Sequence, residues 1–169
     1  MYDEVASNKR RSAALVAVFV AMTTLVLWVA MQLMGATGIG VIGVAAVVSI
    51  AAAWVAYWKS DTVALRMSRA VEADPVEHAR LHNLVEGLCI ASGLPKPRIY
   101  VIDDVAPNAF ATGRNPRHAA IAVTTGLLDK MNRIELEAVL AHELSHIKNY
   151  DVLVATLAVT MVGLLALVS

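Results

Sequence analysis

Two histidines stand four residues apart in the stretch AHELSHIKNYD, and a glutamate directly follows the first of them. On a helix, His142 and His146 lie one turn apart on the same face, so both imidazoles can reach one metal ion. Glu143 lies one step round the helix, where it can hold a metal-bound water, take its proton and return it to a leaving amine. Zinc suits this chemistry because it lowers the pKa of its bound water and polarises a carbonyl group. The pattern predicts a peptide-cleaving site with one Zn2+ per chain.

The alternative interpretation of these residues is a solvated polar face of a helix. Two features favour the metal site. The helix is predicted to begin near Asn132, whose side chain can cap it, with Glu135 as the reciprocal half of a capping box. At about 100° per residue, the histidines project from the face opposite an apolar stripe. The stripe consists of Leu136, Leu140, Leu144 and Ile147.

The remaining histidines show that a four-residue spacing alone does not predict a metal site. His78 and His82 are also four residues apart, but Ala79 takes the place of the glutamate and Arg80 brings a positive charge near any cation. This second pair is therefore predicted to lie on a helix surface. His118 falls in a predicted turn, where it is expected to be solvated.

The composition is that of a membrane protein. Hydrophobic residues make up 58% of the 169, and the mean hydropathy is +0.62, whereas ordinary soluble chains have about 45–50% apolar residues. The formal net charge is zero, from 14 basic and 14 acidic residues, so no nucleic-acid partner is expected. Cys89 is the single cysteine and cannot form an internal disulfide. It is predicted to be a small buried hydrophobe in a reducing compartment.

Three uncharged apolar runs organise the chain. Residues 13–34 form a run of 22, which as a helix is about 33 Å long and spans a bilayer core of about 30 Å. Residues 39–58 form a second run of 20, and the helix-breaking GATG between the two predicts a transmembrane hairpin at 13–58. A third run of 17 lies within residues 152–169, which are predicted to start a third transmembrane helix. The lipid bilayer is therefore an expected partner.

The basic residues around the hairpin predict its orientation. Three precede the first run and three follow the second, whereas the GATG turn carries no charge. The positive-inside rule therefore places residues 1–12 in the cytosol as a tail, together with residues 59–151. A cleaved signal peptide is the alternative for the first run, but the run is long for one and a second span follows at once. The basic residues are Lys9, Arg10, Arg11, Lys59, Arg66 and Arg69.

The cytosolic segment, residues 59–151, has the mixed periodicity of a small α+β domain. Asp74 is predicted to cap a helix that runs to about Ser92. The β-branched and aromatic stretch RIYVID, at 98–103, predicts a buried strand. The turn-rich RNPR between NAFATG and HAAIAVT predicts a hairpin whose second strand covers 119–124.

Taken together, AHELSHIKNYD, PNAFATGRNPRHAAIAVTTGLL, GLPKPRIYVID and the N-terminal hairpin resemble the HtpX-type membrane metalloproteases, relatives of the CAAX prenyl proteases. The resemblance runs in order along essentially the whole chain. It implies a zinc-dependent endopeptidase whose zincin-like α+β domain packs the active-site helix on a short β-sheet. It also implies a multi-pass protein in the cytoplasmic membrane of a prokaryote, with its active site facing the cytosol. The implied substrates are misfolded or damaged membrane proteins or unfolded polypeptides, often cleaved under stress.

The resemblance also implies roles for individual residues. His142 and His146 would bind zinc, Glu143 would be catalytic, and the NAFATG region would line the substrate cleft. The apolar strand at 119–124 is expected beside that cleft, where an extended substrate would add to it as a further strand. The expected cleft residues are Asn108, Ala109, Phe110, Ala111, Ala119, Ile121 and Val123.

The third zinc ligand is where the chain departs from the resemblance. In that family the ligand is a glutamate on a later helix, but no glutamate, histidine or cysteine follows His146 here. On a continuous helix Asp151 would lie half a turn from His142, and Asn149, on the ligand face, is a weak zinc ligand. The chain is therefore expected to be the N-terminal portion of such a protease, and inactive as a 169-residue chain.

Two rival functions follow from these observations. A non-catalytic membrane scaffold or fragment would explain the missing third ligand. An intramembrane protease would carry the same motif inside a spanning helix, but the charges around the motif argue against burial in lipid. Those charged residues are Lys130, Arg133, Glu135, Glu137 and Lys148.

Overall fold

The computed structural model describes residues 2–36 and 38–166. The helices are α1 (Tyr2–Leu33), α2 (Ile39–Met67), α3 (Ala79–Ser92), α4 (Thr125–Lys130), α5 (Arg133–Asn149) and α6 (Asp151–Ala166). The strands are β1 (Val71–Glu72), β2 (Arg98–Ile102), β3 (Ala109–Gly113) and β4 (Ala119–Thr124), with a 3-10 turn at Pro116–His118. A long helical hairpin therefore precedes a small α/β domain, and α6 follows that domain.

Two helices of the described residues, α1 and α2, are long and apolar enough to cross a membrane, over Glu4–Leu33 and Gly40–Met67. Many of their apolar side chains are largely exposed: Leu25, Val47 and Trp54 are 58%, 67% and 65% exposed. A helix of a soluble domain would bury such side chains in a core. The pair therefore fits the predicted membrane hairpin.

Both helices extend beyond the apolar runs. The residues predicted as an N-terminal tail continue α1 as far back as Tyr2, and α2 continues past the predicted end of the run to Met67. Arg98 of β2 donates a 2.5 Å hydrogen bond to the carboxylate of Asp61, which is only 7% exposed. An uncharged apolar run marks only the part of a helix that can enter a bilayer. The ion pair connects the polar end of α2 to the sheet.

Helix α6 packs back against the hairpin. Leu153 and Leu157 form a buried cluster with Phe19 of α1 and Ala53 of α2. Between helices in a bilayer such contacts stabilise by close packing of side chains, because lipid tails are as apolar as leucine. Residues 167–169 lie outside the described part of the chain, so a third transmembrane span stays a prediction.

The sheet is mixed and has the strand order β1-β2-β4-β3. Strand β4 lies between β2, which it pairs in parallel, and β3, which it pairs antiparallel. Both faces of β4 are covered: Ile121 and Val123 pack on the same side as α3 and α5, and Ala120 and Ala122 pack around Leu65 of α2. The uniform apolar character of AAIAVT is typical of such a two-sided burial.

The local predictions for the domain are largely confirmed. The stretch RIYVID forms β2, and β3 and β4 form the predicted hairpin. Gly113, at φ 137°, is required in that hairpin because a Cβ there would stand 2.4 Å from the carbonyl oxygen of His118. The helix predicted from Asp74 begins later, at Ala79, because the Asp74 carboxylate caps a separate turn by accepting from the N–H groups of Val76 and Glu77.

Candidate active site

Helix α5 presents the HExxH residues from a face that its own packing leaves free. Its N-terminus carries the predicted capping box, in which the Asn132 side chain accepts from the N–H of Glu135 and the Glu135 side chain accepts from the N–H of Asn132. The stripe predicted to be apolar is buried against the sheet: Leu136, Leu140, Leu144 and Ile147. His142 is exposed, and Glu143 and His146 are half-buried.

The two histidines converge on one point. Their Nε2 atoms are 3.0 Å apart, and the rings meet edge to face with centroids 4.5 Å apart. Two nitrogen ligands of one tetrahedral zinc, at Zn–N distances of about 2.0–2.1 Å, stand about 3.3 Å apart. The pair therefore fits a shared zinc ion. Within residues 2–36 and 38–166, however, no group of three His, Cys, Asp or Glu side chains comes together around such a point.

Asp151 contacts His146, contrary to the prediction that it points away from the metal site. That prediction assumed a continuous helix. The chain instead breaks at Tyr150, which adopts the left-handed conformation at φ 60°, and α6 starts anew at Asp151. A non-glycine residue rarely adopts that conformation. The break brings Asp151 Oδ2 to 2.7 Å from His146 Nδ1.

This contact determines which ring nitrogen of His146 can bind a metal. A carboxylate oxygen only accepts, so Nδ1 carries the hydrogen and donates it to Asp151. Nε2 then presents its lone pair on the opposite side of the ring, towards His142. A carboxylate that orients a metal-binding histidine in this way recurs in zinc sites. Because Asp151 lies on the Nδ1 side, it is poorly placed to bind the same metal directly.

Glu143 is oriented by the edge of the sheet. Its Oε2 accepts a 3.0 Å hydrogen bond from the backbone N–H of Ala111 in β3. Burial raises the pKa of the Glu143 carboxyl, while the nearby histidines and the Ala111 N–H act in the opposite direction. A carboxyl group whose pKa is raised is better suited to carry a proton through a reaction.

A groove leads from Glu143 along the half-buried outer edge of β3. It consists of two adjoining cavities, of about 300 and 470 Å3, which share Phe110, Ala111 and Ala155. Glu143 and His146 line the smaller cavity, and the larger one continues to the C-terminal end of α2. Strand β3, at the end of the strand order, is the strand beside the site.

The predicted cleft residues therefore separate into two groups. Phe110 and Ala111 line the groove, and the neighbouring Asn108 and Ala109 belong to the same edge segment. The prediction was wrong for the residues of β4, because that strand is central and its hydrogen-bonding groups pair with both neighbours. The misassigned residues are Ala119, Ile121 and Val123, which are 3%, 0% and 0% exposed.

Among the groove residues that no sequence pattern indicated are Ala155 and Thr156 of α6. Thr156 accepts from the N–H of Gly113 at 3.4 Å and shares a 3.1 Å hydrogen bond with Thr112. Ala155 lines both cavities. No periodicity or motif marks either position, because their place depends on how α6 docks after the break at Tyr150.

Comparison with known proteins gives consistent matches. Residues 75–169 match peptidase family M48. The chain is 43% identical over 166 residues to a protein named Protease HtpX homolog from Dictyoglomus turgidum, covering 98% of the chain and 54% of that relative. A protein of the same name from Streptococcus pneumoniae is 40% identical over 169 residues, 100% of the chain and 56% of the relative. A protein of that name from Thermoanaerobacter pseudethanolicus is 50% identical over 114 residues, which cover 68% of the chain and 38% of the relative. The chain thus spans about half the length, or less, of these relatives.

Proposed function

We propose that this chain, which belongs to peptidase family M48, supplies the zinc-binding helix of a membrane endopeptidase. The predicted resemblance to HtpX-type membrane proteases is confirmed by that membership and by the relatives. The proposed reaction is hydrolysis of a peptide bond by a metal-activated water. The observation that carries the proposal is the 3.0 Å approach of His142 Nε2 and His146 Nε2 beside the oriented carboxylate of Glu143.

His142 and His146 would hold the zinc through Nε2, with Asp151 fixing the tautomer of His146. A bound zinc would supply Lewis-acid polarisation of the substrate carbonyl and a lowered pKa for the attacking water. The described residues contribute two donors, so we propose that a third comes from outside them. Asp151 is not that donor, because its carboxylate faces Nδ1 and not Nε2.

Glu143 would be the general base and then the general acid. The Ala111 N–H holds Oε2, which leaves Oε1 to accept a hydrogen bond from the attacking water. The carboxylate takes a proton from that water during attack on the carbonyl carbon. It then delivers the proton to the departing amine nitrogen, so that the C–N bond breaks and the free amine leaves.

The substrate would lie in the groove along β3. In an antiparallel edge strand, alternate residues point their N–H and C=O groups away from the sheet. Ala111 does so, since its N–H reaches Glu143, and Ala109 has the same parity. An extended polypeptide can pair by strand addition with the outward groups of Ala109 and with the carbonyl of Ala111, whose N–H is taken by Glu143. The groove ends near the C-terminal end of α2, so a polypeptide leaving the bilayer would reach this end of the groove first. We therefore propose misfolded or damaged membrane proteins as the substrates.

The same proposal includes a cytoplasmic membrane location with the site facing the cytosol. Its support is the pair of candidate membrane helices and the basic residues that flank them. Among the described residues, α5 is not one of the helices apolar enough to cross a membrane. This argues against the rival interpretation of an intramembrane protease, whose motif would lie within a span.

The test is a comparison of wild type with Glu143→Gln in the protein expressed from the complete gene and purified in detergent. Glutamine keeps the size and the acceptor for the Ala111 N–H but cannot take the water's proton. We expect one zinc per chain in both proteins and a fall in peptide cleavage of about 10²- to 10⁴-fold in the variant. Cleavage at the wild-type rate would remove Glu143 from this role.

The same measurements distinguish the rival scaffold function, which is favoured by the absence of a third donor among the described residues. A scaffold would show neither stoichiometric zinc nor chelator-sensitive cleavage in the wild type. Either property in the wild type would rule the scaffold out.

Two proline substitutions on β3 test the assignment of the edge. Ala111→Pro removes the N–H that holds Glu143 and should lower kcat by about 10- to 100-fold, the value of a hydrogen bond to a charged group. Ala109→Pro removes an outward N–H that does not contact Glu143, and should raise KM with little change in kcat. Circular dichroism would check that both variants fold as the wild type does. If folded Ala111→Pro changed only KM and folded Ala109→Pro changed only kcat, the proposed substrate strand would be contradicted.

A further inference from the structure

A large cavity among the described residues lies away from the HExxH residues. It has a volume of about 1110 Å3 and lies between α1, the turn of the β3–β4 hairpin and the start of α6. Its α6 lining is Leu153 and Leu157, whereas the groove at Glu143 is lined by Val152 and Ala155 of the same helix. Helix α6 thus separates the two, and the peptidase chemistry uses nothing in this cavity.

Positive charge collects at one end of this cavity. Lys9, Arg114 and Arg117 line it, and no carboxylate is among its lining residues in the described chain. Two of the cations are held by aromatic rings: Lys9 Nζ lies 4.7 Å from the ring centroid of Tyr150, and Arg114 Cζ lies 4.5 Å from that of Trp58. A ring positions a cation but does not neutralise it. The cluster therefore favours an anionic ligand.

A buried hydroxyl in the wall of the cavity also calls for a ligand. Ser12 is only 5% exposed, and its Oγ has no hydrogen-bond partner among the residues that the structure describes. A buried hydroxyl without a partner costs free energy. Ser12 stands one turn from Lys9 on α1, so a group bearing several acceptor oxygens could accept from both side chains.

The remaining lining is apolar and follows the helices that are proposed to enter the bilayer. Ala13, Val16 and Ala17 continue along α1 from the cationic end, and Leu157 closes the inner side. Ala13 and Ala17 are exposed and small, which leaves a shallow furrow on α1. The cavity is thus polar and cationic at one end and apolar at the other.

We propose that this cavity binds the headgroup of an anionic phospholipid, with its phosphate against Lys9, Arg114 and Arg117 and an acyl chain along α1. Basic pockets between transmembrane helices on the cytoplasmic side suit such headgroups. Ser12 donates to a phosphate oxygen, which satisfies its buried hydroxyl. The proposal depends on membrane insertion and not on peptidase chemistry, so its failure would leave the assignment of Glu143 untouched.

The test is native mass spectrometry of the detergent-purified protein with phosphatidylglycerol or phosphatidylcholine carrying the same acyl chains. The wild type should retain one phosphatidylglycerol in preference to phosphatidylcholine. Each cation at a membrane surface is worth about fivefold in affinity, so Arg114→Gln with Arg117→Gln should lower that preference about 25-fold. The matched control is Arg10→Gln with Arg11→Gln, which removes the same charge from exposed residues outside the lining. In detergent these two residues have no bilayer surface to act on, so the control should lower the preference much less than the Arg114 and Arg117 variant does.

Two further measurements test whether the glutamine variant is misfolded and whether the bound phosphate belongs to a lipid. Arg114→Lys with Arg117→Lys should restore the preference, which separates lost charge from a misfolded hairpin turn. Millimolar inorganic phosphate should not displace the lipid. Equal retention of the two lipids, an unchanged preference in the glutamine variant, or displacement by inorganic phosphate or by an unfolded polypeptide would each overturn the proposal.

Discussion

Two pairs of histidines share the same four-residue spacing, but only one pair directs its ring nitrogens to a common point. His142 and His146 both lie inside α5, and their Nε2 atoms are 3.0 Å apart. His78 is the N-cap of α3, outside the helical backbone, and His82 Nε2 bonds to the carbonyl oxygen of Ala73 at 3.0 Å. Spacing brings two side chains together only when both residues are within one helix and neither is used by the backbone.

An aspartate lies near each pair, and only the aspartate near the α5 pair bonds to a histidine ring. Asp151 uses Oδ2 to accept from His146. Asp74 uses Oδ1 to accept from the backbone N–H groups of Val76 and Glu77, at 2.8 and 3.0 Å. A carboxylate committed to a turn stabilises that turn but does not orient an imidazole. The difference between the pairs therefore extends to the groups around them.

The largest expected effect comes from removing one histidine of the α5 pair. His142→Ala or His146→Ala should reduce bound zinc from one per chain to background and abolish cleavage, because too few donors then remain for tetrahedral coordination. The measurement is zinc content by elemental analysis together with peptide hydrolysis, in the protein expressed from the complete gene.

His82→Ala is the matched control for these variants, since it removes the same side chain from the same spacing. It should keep zinc and cleavage at wild-type values. Loss of zinc in His82→Ala, or full zinc in His146→Ala, would show that the comparison assigns the metal to the wrong pair.

A smaller effect is expected at the aspartates. Asp151→Ala removes the acceptor that fixes the tautomer of His146 and should weaken zinc binding by about 10- to 100-fold without abolishing it. Asp151→Asn keeps an acceptor oxygen and should recover part of the affinity. Zinc affinity is measured by competition with a chelator, and Asp74→Ala serves as the control that should leave it unchanged. An unaltered affinity in Asp151→Ala would mean that the 2.7 Å contact does not support the metal site.

The features that were predictable from the sequence depend on residues close together in the chain. The capping box of α5 and its buried leucine stripe involve steps of three or four residues, and the β3–β4 hairpin is closed by the adjacent RNPR turn. The HExxH geometry follows from the same helical steps. These elements form because neighbouring residues determine them.

The features that were missed depend on distant contacts. Nothing in the composition around Tyr150 signals a left-handed residue, and the break there is accompanied by packing of α6 against α1 and α2 more than 90 residues earlier. The role of Asp151 could therefore not be derived from helical angles. The order of the strands was also unpredictable from spacing. Strand β3 lies between β2 and β4 in the sequence, but in the sheet β2 pairs directly with β4 and β3 is at the edge. A continuously apolar strand such as AAIAVT does, however, favour a central position over an edge.

The smallest expected effect is the pH dependence that Asp74 gives to the stability of the turn before α3. The hydrogen bonds from the N–H groups of Glu77 and Val76 lower the pKa of Asp74 below its ordinary value of 3.8. The folded chain therefore binds this proton less readily than the unfolded chain, so the stabilising contribution is complete above the ordinary pKa and is lost as the pH falls through the lower folded value. The Tm difference between wild type and Asp74→Ala, followed by circular dichroism, should be constant near neutral pH and shrink below about pH 4. Asparagine caps without titrating, so the difference between Asp74→Asn and Asp74→Ala should stay constant over the same range. A wild-type difference that also stayed constant would show that the charge of Asp74 does not contribute to the cap.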